Sequence, residues 1–79
     1  MTRDKFKTII ETSGDIMFDC LDKHYTILTW TDNGITIGEQ NNDNDDMVFK
    51  SADDLINNYL INGKPLSDII DNIVITFVS

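Results

Sequence analysis

The chain has 79 residues, and 41% of them are apolar, which is enough for one modest core and predicts a single domain over residues 1–79. Fourteen acidic residues outnumber six basic ones, for a formal net charge of −8. Such a surface repels phosphates, so we expect no direct binding to nucleic acid or to an anionic membrane, and we find no apolar run of membrane-spanning length. A basic protein partner is compatible with this charge, although solubility alone is the simpler explanation.

The first predicted element is a helix over residues 3–12. Thr2 is a suitable N-cap, and Asp4 favours the positive end of the helix dipole. Gly14 is a suitable end. The apolar side chains recur at i, i+3 and i+4 and form one stripe of Phe6, Ile9 and Ile10.

Residues 15–40 are predicted to form an antiparallel meander of three strands. In "DIMFDCL" the apolar residues alternate, and "HYTILTWT" is rich in β-branched and aromatic residues. Asn33-Gly34 accepts positive φ at both positions, which indicates a two-residue hairpin before "ITIGE". This assignment places Ile16, Phe18 and Cys20 on one face.

Trp30 shares one face of the predicted strand with Leu28 and Thr26, and Tyr25 and Ile27 lie on the other face. Aromatic residues at strand spacing are more often core than interface, so we expect Trp30 to be buried. The alternative is that the helices cover the Tyr25 face, in which case Trp30 lies in an exposed apolar patch that would bind another protein.

After residue 46, "MVFK" is predicted to be extended, and a second helix is predicted to begin at Ser51. Its stripe contains Leu55, Ile56, Tyr59 and Leu60, and Gly63 suits its C′ position. A third helical segment is predicted from Pro65. The last stretch, "IVITFV", is apolar on both faces, so we expect an interior strand.

The predicted fold class is therefore α+β. It consists of an N-terminal helix, an antiparallel meander of three to four strands, two short helices and a C-terminal strand, with the helices packed on one face of the sheet.

The acidic segment over residues 39–54 carries a formal charge of −5. Its spacing does not match a calcium loop, because neither the required Gly nor the terminal Glu is in place, and we predict no metal site. We expect it to be a solvated connection, and a docking surface for a basic partner is the alternative. The candidate partner-binding residues are Glu39, Asp43, Asp45, Asp46, Asp53 and Asp54, together with Trp30.

Cys20 and His24 flank one predicted turn, which raises the question of a thiol–imidazole pair. Cys20 shares a face with Ile16 and Phe18 and is predicted to be buried, whereas His24 is predicted to be exposed. We therefore predict no catalytic residues and no cofactor. A single cysteine forms no internal disulfide, and the N-terminus does not have the pattern of a secretory signal, so we expect a cytoplasmic protein.

The stretch "SADDLINNYLINGKPLSDIIDNIVITF" resembles short, acidic, uncharacterised proteins of Gram-positive bacteria and their phages. The resemblance covers residues 47–78 and implies no established activity and no functional residues. The link to phages suggests an acidic inhibitor that occupies the nucleic-acid channel of a host protein.

Three functional hypotheses follow. The first is a non-enzymatic module that binds an unknown protein partner, with a homodimer as one form. The second is a nucleic-acid mimic that inhibits a basic DNA- or RNA-binding protein. The third, a small enzyme, has the least support because no catalytic motif is present.

Overall fold

A five-stranded antiparallel sheet forms one layer of the protein, and two α-helices form the other. The computed structural model describes residues 1–40 and 46–79. Its elements in chain order are α1 (Arg3–Thr12), β1 (Asp15–Cys20), β2 (Lys23–Thr31), β3 (Gly34–Glu39), β4 (Met47–Phe49), α2 (Ala52–Asn58), β5 (Leu60–Ile61), β6 (Lys64–Pro65), two 3-10 turns (Leu66–Asp68 and Ile70–Asn72) and β7 (Ile73–Val78). The α+β class is confirmed, with its N-terminal helix, antiparallel sheet, second helix and C-terminal strand.

The helix starts are those that the sequence predicts. The Thr2 hydroxyl accepts a hydrogen bond from the Lys5 N–H at 3.1 Å, and the Ser51 hydroxyl accepts one from the Asp54 N–H at 3.1 Å. Asp54 completes the second cap by accepting a hydrogen bond from the Lys50 N–H at 3.2 Å. Both helices are thus anchored by side chains that satisfy otherwise unpaired N–H groups.

The sheet order is β4-β3-β2-β1-β7, and every neighbouring pair is antiparallel. The meander is confirmed, and β4 extends it by one short strand. Strand β7 lies at an edge beside β1, so the expectation of an interior strand was wrong. The sequence suggested an interior position because β7 is apolar on both faces, but apolar side chains do not require a hydrogen-bonded neighbour on each side.

The core lies between the sheet and the helices. Ile16, Phe18 and Cys20 from β1 are buried there together with Phe6 of α1 and Leu55 of α2. Aromatic rings run across this core from one helix to the other: Phe6 meets Phe18 edge-on, Phe18 stacks on Tyr25, and Tyr59 contacts both Tyr25 and Phe49. Both helices therefore cover the same face of the sheet, as predicted.

The segment after Ser51 departs from the prediction. Helix α2 ends at Asn58, and a small β5–β6 hairpin follows instead of another helical turn. Its turn residues, Asn62 and Gly63, both have positive φ, of 55° and 80°. This Asn-Gly pair favours a tight hairpin turn, which competes successfully with the helical spacing of Tyr59 and Leu60. The helical segment predicted after Pro65 is present as the two 3-10 turns.

Candidate functional site

The face of the sheet that the helices do not cover, called the open face here, is the main candidate site. The strand register assigns its side chains in rows. Phe77, Met17, Thr26 and Gly38 are cross-strand neighbours in one row, and Asp15, Leu28, Thr36 and Val48 form the next. Val74, Asp19 and His24 form a third. Trp30 follows Leu28 on the same side.

Trp30 is the most exposed large apolar residue of this face. Its side chain is 67% exposed, so the expectation that it is buried was wrong, and the ring lies on the face that the helices leave open. The physical reason is the choice of face: both helices cover Tyr25 and Ile27, which leaves Leu28 and Trp30 on the other side. The indole N–H donates a hydrogen bond to the Asp15 carboxylate at 2.6 Å. Asp15 therefore orients the ring while leaving it in solvent.

The open face continues to β7 with further exposed apolar groups. Val74 is 61% exposed, Phe77 48%, and Val48, on the opposite edge, 50%. Met17 and Leu28 lie between them, exposed and half-buried respectively. A soluble monomer seldom exposes so many large apolar groups on one face, and such a patch is typical of an interaction surface.

Acidic groups stand among these apolar side chains. Asp15 and Asp19 come from β1, and the Asp46 carboxylate lies against the Cα of Gly38, where a Cβ would be only 1.9 Å from its Oδ1 atom. Thr26, Thr36 and Gly38 line a shallow depression of about 180 Å³ beneath this carboxylate. The rows of the open face contain no Lys and no Arg among the described residues.

The predicted partner-binding carboxylates do not gather on one surface. Asp53 lies on the helix layer, where its carboxylate contacts Lys7 Nζ at 2.9 Å and Arg3 at 3.0 Å. The hydrogen bond from Lys7, aided by Arg3, lowers the pKa of Asp53, and the same contact raises the pKa of Lys7. Asp54 accepts hydrogen bonds at the start of α2, including one from the Asn58 side chain at 2.7 Å.

The remaining acidic candidates also lie on different surfaces of the protein. Glu39 lies 3.9 Å from Lys23 Nζ at the end of β3, and among the described candidates of this segment only Asp46 lies on the open face. Asp43 and Asp45 lie outside the described residues. The described carboxylates of the 39–54 segment are thus distributed over both layers, because β4 returns to the sheet while α2 crosses its covered face.

Cys20 and His24 point to opposite faces of the sheet. Cys20 is 1% exposed in the core, and burial raises the pKa of its thiol, as expected for a small buried apolar residue. His24 lies on the open side, where its Nδ1 atom is 2.5 Å from the Asp19 carboxylate. No sequence pattern indicated this Asp–His contact, because it depends on the register between β1 and β2, which pairs Asp19 with His24. The arrangement provides no thiol–imidazole pair.

A cleft of about 400 Å³ lies at the same end of the sheet, lined by residues around the β1–β2 turn, including Asp19, Leu21 and His24, and by Asn72 of the second 3-10 turn. It is open to solvent and holds one imidazole beside two carboxylates. Over residues 1–40 and 46–79, no three His, Cys, Asp or Glu side chains are close enough together to hold a metal ion. None of the helices in these ranges is long and apolar enough to cross a membrane.

Comparison with known proteins adds no relative: no family model matches the chain, and neither the curated proteins nor the solved structures include a significant match.

Proposed function

We propose that this protein is a cytoplasmic, non-enzymatic module that binds another protein through its open face. The observation that carries the proposal is the exposure of Trp30 at 67%, in one continuous face with Phe77 and Val74. Tryptophan is enriched among the residues that dominate binding energy, because a large rigid ring gains much contact area for little loss of entropy. The hydrogen bond to Asp15 holds the ring in position before a partner arrives, which lowers the entropy cost of binding.

The charges around this patch indicate the chemistry of the partner. Asp15, Asp19 and Asp46 lie among the apolar groups of the open face. The chain as a whole is also acidic, with a net charge of −8. A surface with this pattern is complementary to a partner that offers apolar groups at the centre and Lys or Arg around them. A second acidic surface of the same kind would be repelled.

A nucleic-acid mimic is the competing proposal, and the distribution of carboxylates favours it less. A mimic needs carboxylates in a row at phosphate spacing with few apolar groups between them. In this chain Asp53, Asp54 and Glu39 are engaged within the protein, and the open face is mainly apolar. These observations support docking through the apolar face.

The test begins with capture of partners from extracts of the source organism, identified by mass spectrometry. Binding of the purified partner is then measured for Trp30→Ala and for the matched control Leu60→Ala. Leu60 is also a large exposed apolar residue, at 58%, but it lies in β5, away from the open face. We expect Trp30→Ala to weaken binding by about tenfold or more, as for an interface hot spot, and Leu60→Ala to leave it unchanged.

Equal effects of the two substitutions would contradict the proposal. Competition by DNA or RNA for the partner, together with full binding by Trp30→Ala, would favour the mimic instead.

A further inference from the structure

Strand β7 presents an unpaired edge of unusual composition. Its six residues, Ile73–Val78, carry no charge and include no Pro, and among the described residues only β1 pairs with it. Sheet edges in soluble proteins are normally guarded by short length, Lys, Pro or a covering segment. The opposite edge follows this rule: β4 has three residues and stands between Asp46 and Lys50. The β4 edge of the sheet is therefore guarded against pairing with a further strand, whereas the β7 edge is not.

The sequence of β7 is that of an interior strand. Ile73 is buried in the core, whereas Val74, Phe77 and Val78 remain between 47% and 61% exposed. Alternate N–H and C=O groups of an antiparallel edge point away from its neighbour, and they are free to form a second ladder. A strand next to β7 would pair these groups and cover the exposed apolar side chains at the rim of the sheet.

We infer that the strand that pairs with β7 is β7 of a second copy of this chain, in antiparallel orientation across a two-fold axis. An antiparallel strand is self-complementary, because each copy offers the donors that the other needs. Charge supports this partner. Two copies of net charge −8 repel each other over most of their surfaces, and residues 73–78 carry no charged side chain, so close approach costs least along β7.

One feature of the strand limits the strength of this dimer. The register between β1 and β7 shifts at Met17/Phe18, so that Thr76 is left without a cross-strand partner and forms a bulge. A bulge bends the edge and shortens the straight segments on either side of it. We therefore expect a contact area below the roughly 800 Å² per partner of a standard interface, and a dissociation constant on the order of 1–100 μM.

The decisive experiment compares two substitutions that change the net charge equally. Val78→Lys places a guarding lysine on the β7 edge, and Val48→Lys places one on the β4 edge; the two valines are 47% and 50% exposed. Sedimentation is recorded from about 1 to 500 μM, a range that brackets the expected constant. The wild type and Val48→Lys should pass from monomer to dimer, whereas Val78→Lys should remain monomeric over the whole range.

Thr76→Lys provides a second edge variant in case Val78→Lys does not fold, and circular dichroism checks the fold of each. Amide exchange gives an independent measurement. On concentration, alternate β7 amides should gain protection in the wild type, whereas amides of β4 should not. The inference is overturned if the wild type stays monomeric throughout, or if Val48→Lys or Trp30→Ala weakens the dimer as much as the edge variants do. Because the edge and the open face are tested by different variants, failure of the dimer leaves the proposed function standing.

Discussion

At the scale of single residues, the turns show how backbone conformation constrains this sequence. Gly34 has φ of +122°, while Asn33 is not among the residues with positive φ. The two turn residues of the β2–β3 connection are Asp32 and Asn33, between the paired Thr31 and Gly34, and not the Asn33-Gly34 pair that the sequence suggested. The backbone is consistent with a type I turn followed by a glycine in a bulge, which is the next most common hairpin arrangement.

We predict that Gly34→Val lowers the free energy of unfolding by about 1–3 kcal/mol. A β-branched residue is disfavoured at positive φ, and a Cβ at this position would lie 2.6 Å from the Phe49 carbonyl oxygen. Asn33→Ala is the control and should have little effect, because Asn33 does not need positive φ. Urea denaturation of the two variants tests both statements. A large loss of stability in Asn33→Ala would favour Asn33-Gly34 as the central pair of the turn instead.

The β1–β2 turn contains a residue that is poorly suited to its conformation. Leu21 has φ of 50° and is exposed, and Asp22 follows with φ of 69°. A leucine in the left-handed region costs roughly 1–2 kcal/mol, whereas asparagine tolerates it.

Replacement of Leu21 by Asn should therefore stabilise the protein by about 1 kcal/mol, which corresponds to a rise in Tm of about 4–8 °C. Leu60→Asn is the control, since Leu60 is an exposed leucine whose φ is not positive. Thermal unfolding followed by circular dichroism measures both. An equal rise in the control would show that removal of exposed apolar surface, rather than relief of backbone strain, is responsible.

At the scale of elements, the packing of α1 on α2 includes an exposed charge cluster. Asp53 of α2 contacts Arg3 and Lys7 of α1, and Arg3 also donates a hydrogen bond to Asn57 at 3.0 Å. The basic N-terminus of an otherwise acidic chain is thus used within the fold. This contact joins residues that are about 50 positions apart, so sequence spacing gave no indication of it.

Asp53→Asn should lower the Tm by a few degrees near neutral pH, and this difference should vanish in acid. The pKa of Asp53 is lowered in the folded protein from its ordinary value of 3.8, mainly by the hydrogen bond from Lys7. The folded state therefore binds fewer protons than the unfolded state, and the stabilisation is present above the ordinary pKa and lost as pH falls through the lowered one.

The measurement is a series of melting curves from neutral to strongly acidic pH for the wild type, Asp53→Asn and the control Asp71→Asn. Asp71 is an exposed carboxylate in the second 3-10 turn. A difference between wild type and Asp53→Asn that persists at the acidic end would show that packing or the helix dipole, rather than the ion pair, is lost.

At the scale of the whole molecule, the net charge of −8 gives the two proposed interfaces opposite responses to salt. Added salt screens exposed charges over about 10 Å at 0.1 M ionic strength. Screening should weaken docking of a basic partner on the open face, and it should strengthen pairing of two acidic copies through β7. Binding and sedimentation measured at low and high salt test this directly. A change of the same sign in both would contradict the assignment of one of the interfaces.

Substitutions of single carboxylates can test which part of the acidic segment contributes to binding. Asp46 lies on the open face, and the structure leaves Asp43 and Asp45 undescribed. We expect Asp46→Asn to weaken binding of a basic partner, because a carboxylate on the open face can form a close charge pair with it, and close pairs contribute more to binding than screened ones. The double change Asp43→Asn/Asp45→Asn is measured beside it. A loss of binding in both variants would favour docking by the whole segment, and no loss in either would leave it a solvated connection.

Local patterns in the sequence determined much of this protein. Alternation fixed the strands of the meander, helical spacing with Thr2 and Ser51 as caps fixed the starts of α1 and α2, and the burial of Cys20 followed from its strand neighbours. These features depend on residues a few positions apart, where hydrogen bonding and side-chain direction follow directly from spacing.

The tertiary structure alone decided which face of the sheet the helices cover, and hence that Trp30 is exposed. It also decided that β7 is an edge and that Asp53 is paired with Lys7. Each of these depends on packing between segments far apart in the chain. An apolar strand has the same sequence pattern whether its second neighbour is another strand, a second protein or water, because alternation specifies faces and not hydrogen-bonded neighbours.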